Sequence, residues 1–301
     1  MGKASRVKQA SAREKIAAQR AAQRKQEIRN RMFLTIGSIV GVVIIVVAFL
    51  FIKALDKSGG SSGSSGGVHG TALPASVIKD ITSVPAGTLA SIGSGGAYAK
   101  TVSPVSAPAL KSGGKPEILY MGAEYCPYCA TERWAMVQAL GRFGTFSGLH
   151  GIHSSSTDVY PSTPTLTFLG SHYTSKYLTF TPVETQGLTE GTTLQTPTSA
   201  QDKLFSKYDS APYVSSSEAG AIPFIDLGGK YLIHGAQYNP QLLQGKTWAE
   251  VAAALGDKSS TIAQGADGAA NILTAAICKV TNNQPGSVCS TATISSLQGK
   301  L

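Results

Sequence analysis

Two cysteines separated by two residues, Cys126 and Cys129, have the clearest capacity for chemistry in this 301-residue chain. Thiols at positions i and i+3 of a first helical turn can close a small disulfide ring and open it again. Unpartnered backbone amides and the helix dipole at a helix N-terminus favour a thiolate over a thiol. We therefore predict that Cys126 is a nucleophile with a lowered pKa and that Cys129 resolves the mixed disulfide it forms.

The residues beside the two cysteines suit the same chemistry. Pro127 fits the first turn of a helix because its missing amide hydrogen costs little there, and Tyr128 occupies the other position between the cysteines. We expect both, together with Tyr125, to contact a substrate. Glu124 lies two residues before Cys126 and is a candidate for proton transfer, although a glutamate near a helix start is more often exposed and solvated.

A lone C-x-x-C pair has two other interpretations, half of a metal site and an inert structural disulfide. Zinc would need a second close pair, but Cys278 and Cys289 are eleven residues apart, and the five histidines show no HxxxH or HExxH spacing. The sequence therefore predicts no metal and no cofactor. In an oxidising compartment Cys278 and Cys289 are expected to form a structural disulfide, with an electron relay to Cys126 as the alternative.

The elements that position Cys126 follow from hydrophobic periodicity. Glu117–Gly122 is an apolar run typical of a buried strand, and apolar residues recur at helical spacing from Cys126 to about Gly144. Gly228-Gly229 separates two β runs within Ile222–Tyr238 and suits a tight antiparallel hairpin. Other predicted elements are one or two short helices between 68 and 115, strands between 149 and 186, and helices at Ser199–Tyr208, Pro240–Leu255 and Ala269–Lys279.

The first 67 residues indicate the compartment. Residues 33–52 are uncharged, apolar and long enough to cross a hydrocarbon layer of roughly 30 Å. Lys and Arg crowd the preceding tail, whereas only Lys53 and Lys57 follow closely, so the N-terminus is expected in the cytoplasm. A cleaved signal peptide is disfavoured because both the charged segment and the apolar run are too long and no small-x-small cleavage site follows. We predict a single-pass protein of the cell membrane, in contact with the lipid bilayer, whose main domain is extracytoplasmic.

The formal charge of +9 is concentrated in the N-terminal tail. Residues 1–31 hold ten Lys and Arg against two Glu, which leaves sixteen basic and fifteen acidic side chains elsewhere. A nearly neutral folded part implies no basic groove, so nucleic acid is not an expected partner. Serine hydrolase chemistry is not supported either, because the Ser-rich stretches lack a GxSxG elbow.

The segment ILYMGAEYCPYC, with Ala-Glu-aromatic just before the first cysteine, resembles the strand-turn-helix entry of the thioredoxin superfamily. The likeness covers roughly Lys115 to Leu255. Thioredoxins place a cis-proline, preceded by isoleucine, beside the C-x-x-C sulfurs. The resemblance therefore implies that Ile222 and Pro223 lie next to the cysteines and pair with an extended substrate. Pro164 is the competing candidate for the cis-proline.

Two departures from the thioredoxin pattern carry information. Tyr120 stands where thioredoxins have a buried carboxylate, so a thioredoxin-like proton relay is not expected. The stretch from Cys129 to Pro223 is longer than in a minimal thioredoxin, which predicts inserted elements. The chain also resembles a membrane-anchored, thioredoxin-like family that is known only as a domain of unknown function, of the DUF929 type. The resemblance lies in the order of its segments: anchor, Ser/Gly tether, CPYC domain and C-terminal cysteine pair.

These features together predict an α/β, thioredoxin-like fold with an insertion between the C-x-x-C helix and the cis-Pro hairpin, preceded by one transmembrane helix. The expected segments are a basic cytoplasmic tail (1–32), a transmembrane helix (33–52), a Gly/Ser linker (53–67), an N-terminal extension of the outer domain (68–114), a thioredoxin-like domain (115–260), and a C-terminal helix with the Cys278–Cys289 disulfide (261–301).

The leading functional hypothesis is a membrane-tethered, extracytoplasmic thiol–disulfide oxidoreductase that acts on exported proteins through Cys126 and Cys129. A membrane electron donor or acceptor would be needed to recycle it. The alternative is a redox-inactive, thioredoxin-like binding or assembly module of the cell envelope. Oxidase, reductase and isomerase stay open, because the direction of exchange depends on the reduction potential.

Overall fold

The computed structural model describes residues 70–98 and 101–301, which contain both strands and helices. The strands are β1 (Thr71–Ala72), β2 (Val102–Pro104), β3 (Lys111–Ser112), β4 (Lys115–Gly122), β5 (Gly144–Ser147), β6 (His150–His153), β7 (Pro164–Thr167), β8 (His172–Ser175), β9 (Thr179–Glu184), β10 (Phe224–Leu227) and β11 (Tyr231–His234). The helices are α1 (Ala75–Thr82), α2 (Ala86–Ile92), α3 (Pro127–Gly141), α4 (Ser199–Tyr208), α5 (Trp248–Leu255), α6 (Thr261–Val280), α7 (Gly286–Cys289) and α8 (Ala292–Gln298), with a 3-10 helix at Pro240–Leu243. The predicted α/β class is confirmed for these residues.

Strand β4 is central to a six-stranded sheet. It pairs with β9 in parallel and with β10 in antiparallel orientation, and β11 and β2 continue the sheet beyond β10, while β3 also pairs with β4. Residues 118–122 of β4 are buried, as expected for a strand covered on both faces. Because a parallel pair requires a crossover connection, β4 and β9 bracket a crossover, and α3 lies within it.

Helix α3 begins directly after β4 because the sequence offers an N-cap and a proline at the right places. Cys126 is the N-cap residue and Pro127 occupies the first helical position. The helix has buried residues all round, including Trp134 and Val137, and packs against α6. It ends at Gly141, slightly before the predicted limit near Gly144.

The segments before and after the central sheet share its core. Ile81 of α1, Leu140 of α3, Leu273 of α6 and Leu297 of α8 belong to one continuous cluster of buried apolar side chains. A smaller cluster, which includes Leu119, lies elsewhere in the described unit. The described residues therefore fall within one compact unit, and its core depends on both flanks.

Residues between α3 and the hairpin contain inserted elements, as expected from the long sequence between them. Strand β6 pairs with β1 and β7, and β5 pairs with β8, so the insertion adds two small sheets before β9. Helix α4 follows β9 and has the predicted bounds.

The β10–β11 hairpin confirms the interpretation of Gly228-Gly229. The two strands pair antiparallel, and both glycines have positive φ angles, 66° and 73°. The single helix predicted for Pro240–Leu255 is wrong. A 3-10 helix ends at Leu243, and α5 starts afresh at Trp248 because Thr247 and Glu250 form a capping box.

Helix α6 is longer than the predicted Ala269–Lys279 because its first turns also pack in the core. Ser260 caps its start, and Gly268 faces the backbone carbonyl of Ser94 with no room for a Cβ. The predicted transmembrane segment, 33–52, lies outside the described residues. Among the residues that are described, no helix combines the length and apolar character needed to cross a membrane.

Candidate functional site

The thiol of Cys126 lies at the N-terminal end of α3. Its sulfur accepts a hydrogen bond from the backbone amide of Cys129 at 3.4 Å, and it lies 3.7 Å from the carbonyl oxygen of Ile222. The side chain is only 6% exposed, while Cys129 is fully buried behind it. Both cysteines are free thiols in the structure, so it represents the reduced form of the pair.

The two thiols have different acidities. The hydrogen bond between the two side chains is the main cause that lowers the pKa of Cys126 below its usual value. Burial opposes this effect, whereas the amides of Cys129 and Tyr128 and the charge of Arg133 reinforce it. Burial raises the pKa of Cys129 well above its usual value, and Cys126 raises it further. Cys126 is thus the thiol that ionises first, which is the assignment expected from its place at the helix start.

The Ile222–Pro223 peptide bond is cis and lies beside Cys126. The other cis bonds of the described residues precede Pro212 and Pro285, so Pro164 is not the cis-proline. Pro164 instead accepts a hydrogen bond from the indole nitrogen of Trp134 through its carbonyl oxygen. The cis geometry predicted for Pro223 is confirmed, and substrate contact by Ile222 and Pro223 stays a prediction.

A buried ion pair lies next to the cysteines. Arg133 donates to both carboxylate oxygens of Glu184, at 2.9 and 2.7 Å, and to the carbonyl oxygen of Ala123 at 2.9 Å, and both charged side chains are fully buried. The guanidinium carbon also lies 5.8 Å from the ring centroid of Tyr120. A positive charge is therefore held near the thiols without access to water, where screening is weak.

Tyr120 of β4 lies close to the cysteines and to Arg133. Its side chain is fully buried, and its hydroxyl has no hydrogen-bond partner within the described protein. Burial raises the pKa of Tyr120 well above its usual value, and nearby Cys129 adds to the rise. The hydroxyl is thus a neutral donor near the thiols and does not act as a base at neutral pH.

Glu124 is buried, which corrects the expectation of a solvated side chain. Its relative exposure is 0%, and Thr167 donates a hydrogen bond from its hydroxyl to the carboxylate. The backbone turns inward here because the amides of Glu124 and Tyr125 donate to the carbonyls of Gln186 and Gly187. Proton transfer by Glu124 stays a prediction, but direct exchange with bulk water is excluded by its burial.

The tyrosines around the site lie at the surface. Tyr128 is 40% exposed, and its ring meets the edge of Tyr160 with centroids 5.8 Å apart. Tyr125 borders a cleft of about 470 Å³ whose walls include Val159 and Leu188, which are also exposed. Exposed apolar side chains clustered around a reactive thiol favour contact with another macromolecule. Substrate contact by Tyr125 and Tyr128 is consistent with this placement, whereas Pro127 is buried. Contact by all three residues stays a prediction.

Cys278 and Cys289 form the predicted disulfide and lie at another place in the fold. They join the last turn of α6 to α7, and both are buried. The structure does not bring this pair into the cluster of apolar side chains around the thiols, which holds Cys126, Cys129 and Ile222. Within the described ranges, no group of three or more His, Cys, Asp or Glu side chains is placed to hold a metal ion.

Sequence reasoning missed Arg133 and Glu184. Arg133 follows Cys129 by one helical turn and so lies on the same side of the helix, and that spacing is the signal for a charge near the thiols. Glu184 is the last residue of β9, and its place beside β4 depends on strand pairing that no local pattern reveals. Glu132 was missed as well; its carboxylate accepts from the amide of Gln237, and burial raises its pKa to about 8.

A family model matches more than half of the chain. The model of a family described as "Domain of unknown function (DUF929)" matches residues 101–279, which include β2 through nearly all of α6 and both cysteines of the site. No curated protein and no solved structure matches the chain. The matched region excludes α1, α2, α7 and α8.

Proposed function

The chain belongs to the DUF929 family, whose function is unknown, and from its own site we propose a membrane-tethered, extracytoplasmic thiol–disulfide oxidoreductase that acts through Cys126 and Cys129. The observation that carries this proposal is the geometry at one helix start: Cys126 caps α3 and its sulfur accepts from the amide of Cys129, whose own thiol is fully buried. Sequential exchange requires a first thiol with a lowered pKa and a second thiol with a raised pKa behind it. Cys126 and Cys129 have these properties.

We further propose a thioredoxin-like fold for the region around the site. A C-x-x-C pair beside a β-α-β unit is typical of thioredoxin-like redox motifs, and here β4, α3 and the parallel strand β9 form such a unit. The antiparallel strand β10 follows the cis bond before Pro223 on the other side of β4. These features support the resemblance that the AEYCPYC segment indicated.

In the reductive direction, the Cys126 thiolate attacks one sulfur of a substrate disulfide. A bond forms between Cys126 and that sulfur, the substrate S–S bond breaks, and the second substrate sulfur leaves as a thiolate. Cys129 then loses its proton to the medium and attacks the mixed disulfide at Cys126, so the first substrate sulfur also leaves. The substrate gains two electrons, and the protein becomes a Cys126–Cys129 disulfide. Oxidation of a substrate dithiol is the reverse sequence.

The surroundings of the thiols assist both steps. The amide of Cys129 and the charge of Arg133 stabilise Cys126 as the attacking or leaving thiolate. Burial raises the pKa of Cys129 and keeps it protonated, so Cys126 is the thiolate that attacks first. Tyr125, Tyr128, Ile222 and Pro223 would hold the substrate chain beside the sulfur.

The proposed substrates are exported proteins near the membrane surface. By the positive-inside rule, the basic tail and the apolar stretch 33–52 support an extracytoplasmic position for the folded part, and the Ser/Gly-rich segment before it would act as a tether. Because the folded part contains one free thiol pair, each turnover leaves it oxidised or reduced. A membrane electron donor or acceptor would restore it.

Covalent trapping in cells tests this function. A full-length Cys129→Ser variant should accumulate mixed disulfides with exported proteins, because the resolving thiol is gone. The matched control is the Cys126→Ser/Cys129→Ser double variant, which should trap nothing. A Cys129→Ser protein that traps no more than the double variant would contradict the redox function and favour a binding or assembly module.

The reduction potential of the full chain then assigns the direction. Equilibration in glutathione buffers should give a value well above roughly −200 mV for a dithiol oxidase or near about −270 mV for a reductase. A Cys126–Cys129 bridge that stays closed below about −300 mV, with no reactive thiol, would mark the pair as structural.

A further inference from the structure

A second concave site lies at the opposite end of α3 from the thiols. It has a volume of about 420 Å³, within the range of pockets that hold small molecules. Cys126 caps the start of α3 and Arg142 caps its end, so the two sites are roughly 24 Å apart along the helix axis. A ligand here can therefore be present whether or not the thiols are redox-active.

The walls of this pocket are apolar and come from both flanks of the chain. One wall contains Ile81, Val84 and Leu89 from α1, α2 and the turn between them, and the opposite wall contains Val288 and Ile294 from α7 and α8. These segments lie outside the residues that match the DUF929 family, 101–279. The Cys278–Cys289 disulfide fixes α7, and with it the second wall, to α6.

The floor of the pocket is polar and carries unused hydrogen-bonding capacity. Arg142 donates from Nη1 to the side-chain oxygen of Asn271 at 2.9 Å, whereas its Nη2 is buried and has no partner within the described protein. Asn271 in turn donates to the carbonyls of Leu89 and Gly93, which holds the guanidinium in place. Gln138 also lines the floor, and its Oε1 is buried without a donor.

Among the described residues, Arg142 has no acidic partner within 4.0 Å. Asp267 of α6 faces it but forms no ion pair with it within 4.0 Å, and one Asp267 oxygen accepts from Gln138 instead. Burial lowers the pKa of Arg142 to about 10, so its guanidinium is still charged at neutral pH. Burial raises the pKa of Asp267 to about 7. Its carboxyl group is therefore only partly ionised at neutral pH and offsets less of the positive charge of Arg142. A buried donor of this kind is costly unless something accepts from it.

We propose that this pocket binds an apolar small molecule that ends in a carboxyl group, with the carboxyl oxygen accepting from Arg142 Nη2 and the hydrocarbon part lying between the two apolar walls. A carboxylate bonded to a guanidinium is among the stronger hydrogen-bonded pairs, and Gln138 Oε1 can accept from the acid proton when the group keeps it. A long-chain fatty acid has this chemistry. The flanking segments thus form a ligand site that the family-matched region does not contain by itself.

Photo-labelling of the full chain in lipid nanodiscs tests the site. The probe is dodecanoic acid that carries a diazirine, and the labelled peptides are identified by mass spectrometry. We expect label on the segments 81–90 and 287–294 that form the walls. Unlabelled dodecanoic acid should compete with the probe, whereas its methyl ester, which lacks the negative charge, should compete at least about tenfold less well, as the loss of a hydrogen bond between charged groups predicts.

Three variants separate the pocket from the surrounding lipid. Arg142→Gln should reduce labelling about tenfold by removing the charged donor. Ala90→Phe should abolish it by filling the rim, where Ala90 is exposed and a larger side chain is not expected to disturb the core. Ser91→Phe, on the same helix but outside the pocket, is the matched control and should label like the unchanged protein. Melting temperatures of all three check that the fold is intact.

The proposal is wrong if no label falls on the two wall segments or if Ala90→Phe labels them as strongly as Ser91→Phe. Equal competition by the acid and its methyl ester would overturn the role of Arg142 and the assignment of a carboxyl group. Loss of labelling in Arg142→Gln with an unchanged melting temperature, together with the block by Ala90→Phe, would establish both halves of the site.

Discussion

The two cysteine pairs of this protein differ in where their helices place them. Cys126 caps the start of α3, where backbone amides and the positive end of the helix dipole stabilise a thiolate, and it is a free thiol. Cys278 lies in the last turn of α6, where carbonyl groups and the negative end of the dipole disfavour one, and it is bonded to Cys289. The same residue type is thus a free thiol with a lowered pKa at one helix end and part of a cross-link at the other.

This difference teaches that spacing alone does not decide what a cysteine pair does. In the close pair, Cys126 retains 6% exposure beside the carbonyl of Ile222, and the proposed function requires that a partner sulfur reach it there. The distant pair is bonded and packs in the main core with α6, α7 and α8. Bonding state and local charge, which both depend on tertiary packing, distinguish the two pairs.

Removal of Cys126 should have the largest effect. We expect Cys126→Ser to lower the rate of thiol–disulfide exchange with a model peptide disulfide by about three orders of magnitude or more, because no nucleophile replaces the thiolate. Stopped-flow fluorescence of the exchange measures this loss. The comparison between the pairs fails if Cys278→Ser/Cys289→Ser loses as much activity while it stays folded, since that result would make the second pair an electron relay.

Removal of the Arg133 charge near Cys126 and Cys129 should have the second-largest effect. Arg133→Met leaves Glu184 buried without its partner and should lower the free energy of unfolding by about 3–5 kcal/mol in urea titrations. Arg133→Met/Glu184→Met should recover most of this stability, since both charges are gone. In both variants the pKa of Cys126 should rise. A double variant with an unchanged Cys126 pKa would show that the ion pair has a structural role only.

Removal of the second pair should mainly affect stability. Cys278→Ser/Cys289→Ser opens a short loop and should lower the free energy of unfolding by about 3 kcal/mol on the chain-entropy account. Calorimetry of the full chain would record this as a lower melting temperature, with exchange activity per folded molecule unchanged. Equal melting temperatures with and without the disulfide would mean that core packing alone holds α7 in place.

The smallest expected effect concerns the pH dependence of Cys126. Because the hydrogen bond to Cys129 is the main cause of the lowered pKa, Cys129→Ala should shift the midpoint of iodoacetamide alkylation to higher pH. The stability that comes from the ionised Cys126 is present above its unfolded-state pKa and is lost as the pH falls through its lower folded-state pKa. The stability of the Cys129→Ala variant should therefore depend less on pH between these two pKa values. An unmoved midpoint would assign the acidity to the helix amides and Arg133 instead.

Local patterns were sufficient where the determining interactions are local. The helix start at Cys126, the hairpin at Gly228-Gly229 and the bounds of α4 all rest on caps, turn residues and periodicity within a few positions. Local patterns failed at Pro240–Leu255. Apolar periodicity runs through the whole segment and predicts one helix, but a capping box starts a new helix within it. Glu124 was misplaced since its burial comes from Thr167, more than forty positions away in the chain.

The sequence by itself determined which residues can do chemistry: the thiol pair at a helix start, the proline after isoleucine and the second cysteine pair. Only the tertiary structure decided their surroundings, because the pairing of β9 with β4 places Glu184 against Arg133 and the packing of α6 on α3 positions Asn271 beside Arg142. Charges, acidities and cavities depend on distances between segments far apart in the chain. Such distances are set by how the elements pack, and no spacing along the sequence contains them.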